Sequence, residues 1–162
     1  HSKTGTIQLM KIALGADHAG YELKTIVASL LKKLGHDLED LGCHSAEAVD
    51  YPDYARAVAQ AVAQKKAERG IMICGSGVGA SVAANKVPGV RAGLCHDTFS
   101  ARQGVEDDDV NMLCLGARVI GSELAFDVIK AWLNARFSNT ERHVRRLNKV
   151  LAMEKEFYGG AR

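Results

Sequence analysis

Residues 70–86, GIMICGSGVGASVAANK, decide the fold. Gly70 to Cys74 is apolar without alternation, the pattern of a strand in a parallel sheet covered on both faces. The chain then runs through a glycine loop, Gly75-Ser76-Gly77-Val78-Gly79, and continues as a helix. Strand, tight loop and helix in this order form half of a βαβ unit.

The same alternation extends both ways from this stretch. Upstream, residues 10–16 (MKIALGA) read as a buried strand. Residues 20–34 follow with helical spacing: Leu23, Ile26, Val27, Leu30, Leu31 and Leu34 share one face, with Lys24, Lys32 and Lys33 away from it. Gly35 stops that helix, and 36–42 (HDLEDLG) is a second strand. Asp50-Tyr51-Pro52 signals a turn or helix start, and 53–67 is an alanine-rich helix ended by Gly70. Downstream, strands are expected at 90–96 and 110–117, and helices at about 98–106 and 121–137. The tail, 139–158, is helical and basic. Five strand–helix alternations imply a Rossmann-like three-layer α/β/α fold, with a five-stranded, mostly parallel sheet plus a C-terminal basic helix.

Composition narrows the function classes. The chain has 162 residues, 47% hydrophobic and 25% charged, as in an ordinary globular protein. No apolar run reaches the ~18 residues that span a bilayer, so no membrane partner is expected. Lys and Arg number 21 against 19 Asp and Glu, a net charge of +2, which does not suggest nucleic-acid binding. Cys43, Cys74, Cys95 and Cys114 contain no CxxC pair, so zinc-ribbon and thioredoxin readings fail. Reduced thiols in a cytoplasmic protein are expected rather than a disulfide framework. Residues 1–9 lack the apolar core of a signal peptide and read as an extension or expression remnant. A single domain over 10–158 and a short tail, 159–162, complete the expected organisation.

Ligands of open α/β sheets bind at the carboxyl ends of the strands, where the strand order reverses. Those ends carry Asp17-His18, Cys74 with its glycine loop, Cys95-His96-Asp97 and Gly116-Ala117-Arg118. Backbone N–H groups in a glycine loop can cradle a phosphate or a developing oxyanion. Gly75-x-Gly77-x-x-Ala80 also matches a dinucleotide fingerprint, with Asp97 near the ribose position. The match sits on the third strand rather than the first, and no room remains for a substrate domain. Cys74 is either a base or nucleophile beside oriented amides, or a buried strand cysteine. Cys43, Cys95 and Cys114 read as structural.

Asp17-His18 fits either a hydrogen-bonding cap or a sugar or phosphate contact. His96-Asp97 reads as a local hydrogen-bonding pair, and His36 and His44 as surface residues. Arg142 and Arg146 are four apart on a helix and share a face, which suits a phosphate clamp. Glu106-Asp107-Asp108-Asp109 reads by default as a solvated loop, and no metal site is expected there.

The strings GADHAG, DYPDYA, ICGSGVGASVAANKVPGVRAGLCHD and ERHVRRL, in this order, resemble ribose-5-phosphate isomerase type B and the related galactose-6-phosphate isomerase subunits. The resemblance covers about residues 10–150. It implies a metal- and cofactor-free aldose–ketose isomerase acting on a sugar phosphate through a cis-enediolate. Cys74 matches the base that carries a proton between C1 and C2. Members that use a glutamate after the loop have it where this chain has Ala80. Ser76, with the amides of Gly75, Gly77 and Gly79, matches the group near the enediolate oxygen. Asp17, His18, Asp50 and Tyr51 match substrate-contacting positions. Arg118, Arg142 and Arg146 match phosphate-binding arginines, some reaching from a second subunit of a homodimer or homotetramer. Asp107 falls where many relatives carry a ring-opening histidine, which makes it the implied catalytic acid or base. Asp108 next to it joins the implied substrate contacts. The ribose 5-phosphate and ribulose 5-phosphate pair leads, with galactose 6-phosphate or another aldose phosphate as alternative. A non-catalytic phosphosugar-binding domain is the alternative of another class.

Overall fold

The computed structural model describes residues 8–159. Its elements alternate: β1 (Lys11–Ala16), α1 (Tyr21–Lys33), β2 (Asp37–Asp40), α2 (Tyr51–Ala63), β3 (Arg69–Cys74), α3 (Val78–Ala84), β4 (Ala92–Leu94), α4 (Thr98–Asp108), β5 (Met112–Gly116), α5 (Ser122–Asn134) and α6 (Glu141–Phe157). The sheet order is β2-β1-β3-β5-β4. Every pairing is parallel, so "mostly parallel" becomes wholly parallel. The short expected N-terminal and C-terminal segments fall largely on residues 1–7 and 160–162, outside the described residues.

Period-two side-chain geometry divides the sheet between two cores. Ile12, Leu14, Ile71, Ile73, Leu113 and Leu115 face one layer, where α1, α4 and α5 bring Val27, Leu31, Val105, Ile129 and Trp132. Ala13, Met72, Cys74, Met112 and Cys114 face the other, where α2 and α3 bring Val58, Ala59, Val62 and Ala80. Both faces are buried, which is why β3 and β5 read as unbroken apolar runs. The small side chains of α2 let it lie close to the sheet: a Cβ on Gly70 would fall 2.6 Å from Val58 Cγ1.

Four local readings change. On α1, Lys24, expected off the apolar face, is 2% exposed with its Nζ 2.6 Å from Asp40 Oδ1, and Ile26, expected on that face, is 45% exposed. The alanine-rich helix starts at Tyr51 rather than 53, because Pro52 fits the first turn, where its missing N–H costs nothing. α4 runs on to Asp108, and Asp109 closes it in a left-handed conformation with φ 52°, so most of the acidic run is helical. It is also largely paired rather than freely solvated: Glu106 with Arg102 at 2.8 Å and Asp109 with Arg91 at 2.9 Å. His36 is not a surface residue but is 6% exposed. Its Nδ1 accepts the Met10 N–H at 3.3 Å, satisfying a buried donor where the chain enters β1. Burial, aided by the charge of Arg136, holds this imidazole below its ordinary pKa.

Candidate active site

β1 lies between β2 and β3, so the chain turns opposite ways out of β1 and the strand order reverses there. Above the carboxyl ends of β1, β3 and β5, next to that point, is a cavity of about 300 Å³. Asp17, Tyr51, Cys74, Gly75, Ser76, Gly79, Arg118 and Val119 line it.

The β3 end is built around Cys74. This residue is 4% exposed, and its Sγ accepts the Gly77 N–H at 3.1 Å. Gly77 takes φ 79°, the left-handed region that only glycine enters freely. A Cβ there would stand 2.6 Å from Leu94 Cδ1 and 2.8 Å from the Leu115 carbonyl carbon. The turn over the sulfur therefore requires glycine on two counts. Ser76 is exposed at the cavity, with its Oγ accepting the Val78 N–H at 3.2 Å.

The strand ends are tied to each other. Ala117 N–H donates to the Cys74 carbonyl at 2.8 Å, and Arg118 N–H to the Gly75 carbonyl at 3.0 Å. These bonds bring the Arg118 side chain over the loop, its Nη1 3.4 Å from where a Gly75 Cβ would stand. Arg118 is exposed and pairs with no carboxylate among the described residues. On the β1 side, Asp17 is 6% exposed and its Oδ1 accepts the Gly20 N–H at 3.1 Å. The aspartate is thus both a turn cap and a cavity wall. The Tyr51 ring packs where a Gly79 Cβ would be, 2.7 Å away, so Gly79 makes room for it.

The remaining predicted residues lie elsewhere in the chain. His18 turns its Nδ1 to the backbone of Val49, within 3.1 Å of the N–H. Asp50 precedes α2 in an extended conformation and makes no side-chain cap. Asp107 and Asp108 end α4. Asp107 accepts a hydrogen bond from Gln103 and stands 3.3 Å from the His143 ring, and Asp108 lines a larger, mostly apolar groove between α6 and β4. Arg142 and Arg146 are exposed on α6 and do not line the cavity. The candidate residues thus form two groups: one at the strand ends, and one where α4 ends and α6 begins.

The other cysteines are buried and unbridged. Burial, with the Asp97 charge, pushes the Cys95 thiol up to about 11, and burial pushes the Cys114 thiol further still. Asp97 caps α4 through the Ser100 N–H at 2.6 Å, the local role expected of it, whereas His96 Nε2 accepts the N–H of Gly116, 20 residues on at the end of β5, at 2.9 Å. Among the described residues, no three His, Cys, Asp or Glu side chains cluster as a metal ion would require. Sequence reasoning missed two residues. Val119 lines the cavity, and its place directly after Arg118 was the available signal. His143 stands between the two arginines of α6 and is 7% exposed. Its third position in the helix, off the arginine face, was the signal for an inward-facing side chain.

The profile of the ribose/galactose isomerase family matches residues 12–150. Ribose-5-phosphate isomerase B of Escherichia coli is 43% identical over 146 residues, covering 90% of this chain and 97% of that protein. D-erythrulose-4-phosphate isomerase of Pectobacterium atrosepticum is 42% identical over 80% of this chain and 86% of its own. The solved structure of Clostridium thermocellum ribose-5-phosphate isomerase B superposes with a TM-score of 0.89 at 48% identity, covering 91% of this chain and 99% of that one. With its parallel sheet, its cavity at the strand ends and these matches, the chain belongs to the ribose/galactose isomerase family and is a sugar-phosphate isomerase.

Proposed function

We propose that this isomerase interconverts ribose 5-phosphate and ribulose 5-phosphate, with Cys74 as the base. The observation that carries the reading is the Cys74 sulfur at the cavity wall with the Gly77 N–H donating to it at 3.1 Å. In the aldose, the Cys74 thiolate takes the proton from C2. The C–H electrons form the C1–C2 double bond of a cis-enediolate, and the carbonyl oxygen becomes the oxyanion. The resulting thiol returns its proton to C1 as the carbonyl re-forms at C2, while one hydroxyl proton passes between O2 and O1. Donors fixed in advance stabilise such an oxyanion without reorganisation. Ser76 and the loop amides of Gly75 and Gly79 serve this role, the Gly77 amide staying on the Cys74 sulfur, and Ser76 relays the hydroxyl proton.

Arg118 takes the phosphate, since it is exposed and uncommitted at the cavity rim. Asp17, His18, Asp50 and Tyr51 meet the sugar hydroxyls. The phosphate end is completed by Arg142 and Arg146 of a second copy of the chain. Their distance from the cavity within one chain supports this arrangement, and so does the exposed apolar edge of α6 at Val150, Met153 and Phe157. The scheme uses no cofactor. It operates in one domain, 10–158, of a homo-oligomer, and the four free thiols support a reducing, cytoplasmic setting.

A second reading keeps the chemistry and changes the sugar, since the four-carbon D-erythrulose-4-phosphate isomerase is also 42% identical. The deciding experiment is kcat/KM for a panel of four-, five- and six-carbon aldose phosphates, galactose 6-phosphate included. Ribose 5-phosphate is expected to lead by at least tenfold, about 1.4 kcal/mol of transition-state stabilisation. A tetrose or hexose phosphate in first place replaces the substrate. No turnover of any would leave a phosphosugar-binding domain.

A further inference from the structure

Asp107 has both carboxylate oxygens engaged. Oδ2 accepts a hydrogen bond from Gln103 Nε2 at 2.6 Å, one turn back on α4. Oδ1 lies 3.3 Å from His143 Nε2 on α6. The other nitrogen of that ring, Nδ1, meets Ser138 Oγ at 2.6 Å and Thr140 Oγ1 at 2.8 Å. Ser138 N–H in turn donates to the Glu106 carbonyl at 2.9 Å, beside Asp107. One network therefore joins the last turn of α4, the connection at 138–140 and the first turn of α6.

The network does what a helix cap ordinarily does. Thr140 occupies the N-cap of α6, yet its side chain caps no helix N–H, because Oγ1 is turned to His143. The first turn is held instead through the His143 ring, whose side chain is 9% exposed. That turn carries Arg142 next to His143, and Arg146 stands one turn further on. Neither arginine forms an ion pair among the described residues, so no side-chain pairing of their own fixes them in place.

We propose that the Asp107–His143 pair is a latch that sets the direction of the arginine-bearing start of α6, which makes Asp107 a positioning residue for substrate phosphate rather than a carrier of substrate protons. The proposal rests on the reading of Arg142 and Arg146 as phosphate ligands. A small misplacement of such a clamp is costly, about 10²-fold for 1 Å. Loss of the carboxylate also removes the acidic group that stands beside this largely buried ring nitrogen.

The test is steady-state kinetics on the best aldose phosphate for Asp107→Ala, Asp107→Asn, His143→Ala and the Asp107→Ala/His143→Ala double variant. The dissociation constant of inorganic phosphate is measured by calorimetry alongside. Asp107→Ala is expected to raise KM and the phosphate constant together by about tenfold, less than the roughly 10² that a full 1 Å misplacement of the arginines costs, with kcat within about threefold. Asp107→Asn keeps the shape and an oxygen beside the His143 ring and is expected to recover most of both. The double variant is expected to be no worse than the worse single one, since both remove the same link. A loss of about 10² in kcat shared by the Ala and Asn variants, with phosphate binding unchanged, would make Asp107 a proton carrier and overturn the proposal. Unchanged KM and phosphate binding in Asp107→Ala would also overturn it. If the wild type turns over no aldose phosphate, the isomerase reading fails by itself, and the phosphate constants alone decide the latch.

Discussion

Replacing Cys74 separates its chemical role from its structural one. Cys74→Ala removes the sulfur and leaves the buried Gly77 N–H without an acceptor. An orphaned buried donor costs about 1–3 kcal/mol. For a chain of this length that is a fall in melting temperature of roughly 2–4 °C per kcal/mol. Cys74→Ser keeps an oxygen where the sulfur was, so the Gly77 bond and most of that stability return. Activity should not return with it, because a hydroxyl gives up its proton far less readily than a thiol. A positioned base contributes about 10²–10⁴ in rate, which is about 3–5 kcal/mol of barrier. Both variants should therefore lose at least 10² in kcat, while only the alanine variant loses stability. Neither change touches Arg118, so phosphate affinity is expected to stay within about twofold of wild type, well under 1 kcal/mol. The assays are turnover of ribose 5-phosphate, urea unfolding and phosphate calorimetry. A serine variant with kcat within about threefold of wild type would refute Cys74 as the base.

Two further outcomes follow from local geometry. Gly77→Ala forces an L-residue to φ 79° at about 1–2 kcal/mol, and its methyl meets the backbone of Leu115, an overpacking cost of about 1–3 kcal/mol. Thermal unfolding should show a drop of several degrees together with lost turnover, and a wild-type melting temperature would contradict the crowding. His36 is held below its ordinary pKa by burial, so the unfolded chain takes up a proton as pH falls past about 6.5 while the folded chain stays neutral. Stability from this group is complete above that pH and is lost as pH falls toward the folded value. Urea midpoints of the wild type should therefore fall relative to His36→Gln below pH 6.5, and parallel curves would exclude the linkage.

The central strands were legible because a strand buried on both faces demands apolar residues throughout, so Ile71, Met72 and Ile73 leave no ambiguity. The order β2-β1-β3-β5-β4 was not legible, because adjacency between parallel strands depends on which faces the crossover helices cover. Cys74, Asp17 and Arg118 could be nominated from sequence because the strand-end rule holds for any open α/β sheet. That Asp17 also caps a turn, and that the Tyr51 ring fills the space over Gly79, are three-dimensional facts with no counterpart in spacing. His36 was misread because a polar residue after a helix-stopping glycine resembles any exposed loop residue. Its partner inside the fold is the Met10 N–H, 26 residues earlier. Asp107 was read by position in a motif, and its partner His143 lies 36 residues away on another helix.

The two bonds that join Cys74 to Ala117 and Gly75 to Arg118 have a metrological consequence. They bolt the backbones that carry the proposed base and the proposed phosphate hook to one stiff piece of sheet, so the span between those two backbone points acts as a gauge block of fixed length. Breathing of α1, α2 or the chain ends leaves that span alone. A sugar with one carbon more or fewer is met by the exposed Arg118 side chain and not by stretching the gauge. The difference is taken up beyond the gauge, by that side chain and by the cavity residues Asp17 and Tyr51, and changes of sugar length should therefore be sought there first.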